Sequence, residues 1–331
     1  MFESKRILYI DFAKALTIVL VVIGHYLPSE HPNWYEHLHS IIYGFHMPLF
    51  MFASGYVYVA TKRQESYDSF LLRKFKRLMI PYFIVSILVI SLKLATQGTA
   101  YIEHTVTLMS YVHIFYLPEA GPFLWFVWAL WWMFVVVPVF DDKYKRLILL
   151  ALAIVMHYLP FLFPEIFCLD DFKRMFVYFC LGCVVYDYKD SLKKAGVIPF
   201  WTFMIVFVII NWLKTTNLLP CELQKILTPL IGIAFVLSLC KWLEQKKWHP
   251  LIDLLMLIAY SSYIIYLLHT TFEGFTKAIV YKIPILMDAQ NDLMFTLGAV
   301  IVVSCGIIVP VFLDRFVLRK YRLTRLLFGY K

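Results

Sequence analysis

Ile7-Leu-Tyr-Ile-Asp-Phe-Ala-Lys-Ala-Leu-Thr-Ile-Val-Leu-Val-Val-Ile-Gly-His-Tyr-Leu27 is apolar over about the length a helix needs to cross a bilayer, yet it carries Asp11, Lys14 and His25. An ionisable group at the bilayer centre costs on the order of 2.5–3.5 kcal/mol on insertion scales, so such groups are expected to be paired, turned to a cavity or functional. At about 100° per residue, eleven steps bring His25 back to within roughly 20° of Lys14, and Asp11 lies about 60° from Lys14. The three share one stripe, with His25 roughly 16 Å along the axis from Lys14. One helix thus places an acid–base pair near one membrane face and an imidazole near the other.

The rest of the chain agrees that this is a membrane protein. Of 331 residues, 61% are hydrophobic and only 16% charged, and a mean hydropathy of +0.73 is more apolar surface than a soluble domain can hide. About ten apolar runs follow one another, near 7–27, 38–60, 78–95, 122–140, 147–163, 173–188, 197–214, 225–241, 252–274 and 292–314. The basic residues between them alternate by side. One set of connections holds Lys5 and Arg6, then Lys62, Arg63, Arg73, Lys74, Lys76 and Arg77, and further clusters around Lys143, Lys189 and Lys246 and from Arg315 to Lys331. The opposite set is nearly bare, so the positive-inside rule predicts two cytoplasmic termini and an even number of helices. The net charge of +9 is therefore topology and argues against nucleic acid. The expected fold is all-α: a polytopic bundle of about ten transmembrane helices forming one domain over 1–331, with the lipid bilayer as its environment. The first run lacks a small-residue cleavage site and reads as a retained helix. Cys180 and Cys183 have no second pair, no histidine at ligand spacing and no metal to hold; they read as packing residues.

Other runs carry chemistry too. In the second, His46 stands beside Pro48, whose missing N–H frees a carbonyl about one turn back, so a kink walled by a histidine is expected there. Phe52-Ala-Ser54-Gly-Tyr56 offers small residues that let another helix approach closely. The basic run Arg73, Lys74, Lys76, Arg77 either anchors on anionic headgroups or binds a phosphorylated cytosolic ligand. The longest outer excursion, from Ser91 to Gly121, contains His104 and His113 and leads into a tryptophan cluster, Trp125, Trp128, Trp131 and Trp132. That cluster is either an interfacial belt or a set of stacking surfaces for a sugar. In the ninth run Tyr263, Tyr266 and His269 recur every three residues, with Glu273 beyond, as a slowly rotating polar edge. The tail from Asp314 on is basic and amphipathic and is expected to lie on the cytoplasmic membrane surface.

No phosphate-binding glycine loop, dinucleotide fingerprint, Gly-x-Ser-x-Gly elbow or His-Glu-x-x-His occurs. What remains is histidine and buried cation within the membrane, with a basic cytosolic lip. A histidine near neutrality takes a proton from an attacking hydroxyl and a buried cation stabilises developing negative charge, which suits acyl transfer to an alcohol. On these residues alone a proton-coupled transporter or flippase stands nearly level, although no inverted repeat or paired broken helices accompany it.

Tyr9-Ile-Asp11-Phe-Ala-Lys14 leading to Gly24-His25, then Phe45-His46-Met-Pro48-Leu-Phe50 with Ser54-Gly55, resembles the membrane acyltransferase family 3, and within it the fucose 4-O-acetylase-like proteins. The likeness continues through Arg73 to Pro81-Tyr82, through Leu124-Trp125-Phe126 and to Ser262-Tyr263 with His269. Where the family usually has an arginine eleven residues before the histidine, this chain has Lys14, which keeps the charge and loses the planar fork. The resemblance implies O-acylation, usually acetylation, of sugars in surface polysaccharides or carrier-linked glycans at the bacterial inner membrane, with acetyl-CoA as donor. It implies His25 as the catalytic residue supported by Asp11 and Lys14, and Arg73, Lys74 and Arg77 as contacts for CoA phosphates. His46, Ser54, Trp125, Tyr263 and His269 fall to the acceptor side.

Overall fold

The computed structural model describes residues 7–97, 105–160, 163–194 and 198–330; Lys5, Arg6, His104 and Lys331 lie outside them. Every regular element among the described residues is helical. The first, α1 (Leu8–His25), stops because Pro28 drives the residue before it out of helical geometry and Tyr26 is already extended at φ −86°, ψ 93°. Its buried residues, Ile10, Phe12, Ala13, Ala15, Thr17, Ile18, Val21, Val22 and Gly24, run around most of its circumference, so α1 sits inside the bundle.

The second apolar run is where the sequence expectation needs correction. It is two helices: α2 (Asn33–Tyr43), with only Tyr35 and Ile42 buried, and α3 (His46–Ala60), separated at Gly44 and Phe45, the latter at φ −145°, ψ −16°. Pro48 cannot donate to the Gly44 carbonyl and its ring crowds that carbonyl, so the break falls where the fourth preceding residue would otherwise have accepted a helical bond. A kink was expected; the chain takes a full turn. Tyr35 of α2 then folds over the end of α1, its hydroxyl donating to the Tyr26 carbonyl at 2.7 Å and lying 3.2 Å from that of Ile23. This satisfies carbonyls that the helix end leaves open.

After Ser66, whose Oγ caps the Ser69 N–H, α4 (Tyr67–Thr96) runs 30 residues through Pro81. The connection from α4 to the next long helix includes the short α5 (Ser110–His113) and is fastened by Tyr82, which donates to the carbonyls of Ile114 and Leu117, both at 3.0 Å. A tight turn at Pro122–Leu124 opens α6 (Trp125–Val136). Then come α7 (Lys143–Tyr158), capped by Asp142, α8 (Leu169–Asp187), α9 (Lys189–Lys194), α10 (Phe200–Thr215), α11 (Cys221–Lys246), α12 (His249–Val280), α13 (Asp292–Leu313) and α14 (Arg322–Leu327). Among the described residues six helical segments are long and apolar enough to cross a membrane: Leu8–His25, Tyr67–Thr96, Pro122–Val139, Cys221–Lys246, His249–Val280 and Asp292–Leu318.

Around α1 pack α3, α11, α12 and α13, while α3 is pressed closely against α8. Two glycines make that approach possible. A Cβ on Gly55 would stand 2.8 Å from the Phe179 carbonyl carbon, and one on Gly182 would stand 2.9 Å from both the Phe52 carbonyl carbon and the Tyr56 nitrogen. Cys183, one residue on, donates its thiol to the Gly55 carbonyl at 3.3 Å, the packing use expected of the cysteines. Below this crossing a buried ion pair joins α7 to α8: Arg146 reaches the two Asp187 oxygens at 2.7 and 2.9 Å.

The tail is tied back into the bundle. Asp314 is fully buried, accepts from Ser261 at 2.6 Å and from Arg319 at 2.6 and 3.0 Å, and is also bonded by the Tyr330 hydroxyl. Gly329, at φ +67°, lets the chain press onto the backbone of Lys76 and Arg77. A buried carboxylate requires such partners, and its demand draws the tail back against α4.

Candidate active site

The end of α1 and the middle of α12 bring two imidazoles together. His25 and His269 have ring centroids 5.0 Å apart. Phe123 stands edge-on to both, at 5.6 and 5.1 Å, and is fixed from α12 by the Tyr266 hydroxyl, which donates to its carbonyl. On the other side Tyr43 lies 6.4 Å from His25, stacks on His39 at 4.2 Å and meets His46 edge-on at 4.9 Å. The break between α2 and α3 is what turns Tyr43 and His46 toward one another.

Two of these histidines have one ring nitrogen committed. His46 Nδ1 donates to the Ile42 carbonyl at 2.7 Å, and His269 Nδ1 to those of Tyr266 at 2.8 Å and Ile265 at 3.0 Å. A neutral imidazole that donates from Nδ1 presents Nε2 as an acceptor. For His269 that Nε2 is buried without a hydrogen-bond partner among the described residues. His46 and His269 are buried, at 3% and 0% exposure, whereas His25 is partly accessible. The reachable imidazole is therefore His25, with the other two behind it.

Further along α12, Glu273 follows His269 by one turn and Lys277 by two. Glu273 is buried; its Cγ packs on Gly306 of α13 and its Oε1 has no hydrogen-bond partner among the described residues. Lys277 lies over the Tyr26 ring at 5.4 Å. The charged and titratable groups whose fields reach His25 are His269, His46, Lys277 and His39.

Asp11 and Lys14 form an ion pair at 3.7 Å on the far half of α1. Lys14 belongs instead to the basic end of the molecule, where it joins Arg77 and Arg73 in the electrostatic surroundings of Lys74. Beside them a cleft of about 200 Å³ opens between the end of α3, the start of α4 and the stretch Pro138–Asp141, lined by Lys62, Arg63, Glu65, Arg73, Lys74 and Asp141 together with aromatic rings. Arg73 is engaged by both Glu65 oxygens, Nε to Oε2 at 3.2 Å, and Lys62 pairs with Asp141. The Arg73 bond holds the Glu65 carboxyl below its ordinary pKa, and partial burial lowers that of Lys62. Lys74 extends over the Phe134 ring, 3.8 Å from its centroid. Arg77 does not line the cleft; it lies under the tail at Gly329.

Of the acceptor-side residues expected from sequence, His46 and His269 gather at His25, and three do not. Ser54 donates to the Phe50 carbonyl within its own helix at 2.8 Å, and Tyr263 donates to the Leu78 carbonyl of α4 at 2.6 Å. Trp125 meets Phe126 edge-on at 6.2 Å, and it is Phe123, two residues earlier, that faces His25. Phe123, Tyr43 and His39 carried no signal beyond being aromatic. The spacing of Glu273, four residues after His269, did place it on the same helix face. Among the described residues no group of three or more His, Cys, Asp or Glu side chains is arranged to hold a metal ion.

Comparison with known proteins adds the family. The chain is similar to the Nodulation protein NolL of Sinorhizobium fredii, 29% identical over 186 residues that make up 54% of this chain and 48% of that protein. It is also similar to the Nodulation protein NolL of Mesorhizobium japonicum, 28% identical over 216 residues, 62% of this chain and 54% of that protein. The chain thus spans about half the length of the curated relatives it matches. No solved structure matches it. The sequence pattern of the family described as Acyltransferase domain runs through residues 7–315, from the first turn of α1 past the end of α13, and the chain belongs to that family.

Proposed function

We propose that the chain is a membrane O-acyltransferase that moves an acetyl group from acetyl-CoA to a hydroxyl of a surface polysaccharide or carrier-linked sugar. The observation that carries this reading is the pairing of a partly accessible His25 with a buried His269 at one end of α1, while Lys14 on the far half of the same helix adds its charge to that of Lys74, which lines a basic cleft. Ten spans with both termini cytoplasmic, in a bacterial inner membrane, would put the cleft in the cytosol and the histidines toward the outer face.

In this reading a nucleotide-bearing donor is held at the cleft by Arg73 and Lys74, with Arg77 adding charge nearby. Its acyl arm lies along α1 past Asp11 and Lys14 toward His25. His25 takes the proton from the acceptor hydroxyl as its oxygen bonds to the acyl carbon; the carbon–sulfur bond then breaks and the proton passes to the departing thiolate. His269 and His46, each tied to backbone through Nδ1, hold the acceptor or orient His25. The Phe123 and Tyr43 rings bound the space and exclude water from the reacting thioester.

The test is incubation of membranes holding the chain with radiolabelled acetyl-CoA and a native glycan pool. Label should move into glycan or carrier lipid with the wild type and not with His25→Ala. An active His25→Ala removes His25 from the chemistry. A folded wild type that neither binds CoA nor transfers label returns a proton-coupled transporter to first place.

A further inference from the structure

The cleft at the start of α4 is crowded with cations, and two carboxylates already sit among them. We propose that Glu65 and Asp141 are resident counter-ions, which a phosphate-bearing ligand displaces as it binds. The inference rests on the cleft being the donor entrance.

Lys62, Arg63, Arg73 and Lys74 all line one space of about 200 Å³. Like charges at that density repel unless neutralised, and the chain neutralises two of them itself. Glu65 meets Arg73 through two parallel contacts, the planar fork geometry that suits carboxylate and phosphate alike. Arg73 is built into the regular helix α4, whereas Glu65 belongs to the short connection between α3 and α4. The carboxylate can therefore withdraw by rotating a loop side chain, leaving the guanidinium over the Phe70 ring, 5.4 Å from its centroid. Lys62 and Asp141 repeat the arrangement across the cleft with more exposed side chains, 41% and 60%.

The other two cations are differently placed. Neither Arg63 nor Lys74 has a carboxylate within ion-pair distance among the described residues, and Lys74 leans on the Phe134 ring. With both carboxylates in place the cleft carries a formal surplus of two positive charges; with both swung aside the formal count is four. A diphosphate together with a ribose phosphate carries on the order of four negative charges near neutrality. Tyr58, Tyr67 and Phe70 form the walls, and the Tyr67 hydroxyl is fixed by donating to the Val135 carbonyl at 2.8 Å. A rigid aromatic wall beside an oxyanion cradle fits a nucleotide diphosphate better than a bare inorganic ion.

The experiment is equilibrium binding of CoA, and separately of inorganic pyrophosphate, to the purified full chain in detergent at low salt, for wild type, Glu65→Gln and Asp141→Asn. Glu65→Gln removes the competing charge and should tighten both ligands by about tenfold, an advantage that shrinks as salt is raised. Asp141→Asn should give a smaller gain, because its pair is more exposed. Equal or weaker binding by Glu65→Gln would show that the carboxylate only orients Arg73, and would overturn the proposal while leaving the donor entrance standing. Tighter pyrophosphate binding without any CoA binding would keep the counter-ion exchange and remove the donor reading. Binding of neither ligand by any of the three folded proteins would remove both.

Discussion

Replacing Gly182 by alanine tests the close crossing of α3 on α8. The new Cβ would stand 2.9 Å from the Phe52 carbonyl carbon and 2.9 Å from the Tyr56 nitrogen, and closer still to the Phe52 carbonyl oxygen. Carbon contacts settle near 3.5–4.0 Å, so α3 and α8 must part by more than about half an ångström. The obstacle is backbone on a neighbouring helix, which cannot rotate aside as a side chain would. Overpacking of this kind costs about 1–3 kcal/mol, and the upper end applies where nothing flexible yields. At roughly 2–4 °C per kcal/mol for a large domain, the unfolding midpoint in detergent should fall by about 6 °C or more, read through the fluorescence of the nine tryptophans. Gly274→Ala is the matched control, since its Cβ would meet nothing within 4 Å. It should be neutral or should gain up to about 1 kcal/mol from helix propensity. If Gly182→Ala melts with the wild type, or the two variants shift alike, the close crossing of α3 on α8 is wrong.

Four further outcomes are expected. His25→Ala should lower acyl transfer by about 10²–10⁴-fold, the usual contribution of a positioned base, with the melting midpoint unchanged, as measured by label transfer beside the fluorescence melt. Tyr35→Phe removes a hydroxyl that satisfies the end of α1. It should cost about 1–2 kcal/mol and lower kcat with little change in the donor KM, because His25 is the residue next to the carbonyl released. Asp187→Ala strands the Arg146 guanidinium between α7 and α8 and should destabilise the chain by roughly 3 kcal/mol, measured by denaturant melts. Glu65 has its pKa lowered chiefly by the Arg73 bond. Its tie is therefore complete above the unfolded carboxyl value of about 4.3 and is lost only as pH falls through the lower folded value. Proteolysis of the 61–66 connection should accordingly be level from pH 8 to pH 5 and rise only in stronger acid.

Much of the bundle was legible because membrane helices announce themselves by length and apolar composition. The end of α1 could be read from Pro28, and the small residues around Gly55 foretold a close neighbour, though only the structure names α8. The break at Gly44 and Phe45 was harder: a proline in a membrane helix permits a kink or a full turn, and tertiary packing decides between them. His25 and His46 stood out as polar groups in apolar runs. Their meeting with His269 depends on how α1, α3 and α12 pack, which no local spacing encodes. Ser54 and Tyr263 illustrate the converse, since a backbone carbonyl within reach consumes a hydroxyl that sequence alone leaves open. Phe123 was hidden among the 29 phenylalanines, and its position comes from a bond that Tyr266 makes to its carbonyl.

The node at Asp314 bears on how the chain is made. Ser261 precedes it in synthesis, but Arg319 and Tyr330 follow it. While α13 is being delivered to the membrane, the residue just after its last turn is a carboxylate whose cation and phenol have not yet left the ribosome. A carboxylate with only the Ser261 hydroxyl to meet it resists burial, so α13 cannot settle fully against α12 until the stretch 319–330 arrives. A nascent chain interrupted after Leu318 is thus marked as unfinished by its own chemistry, and membrane quality-control proteases should clear it faster than a full chain carrying Asp314→Asn.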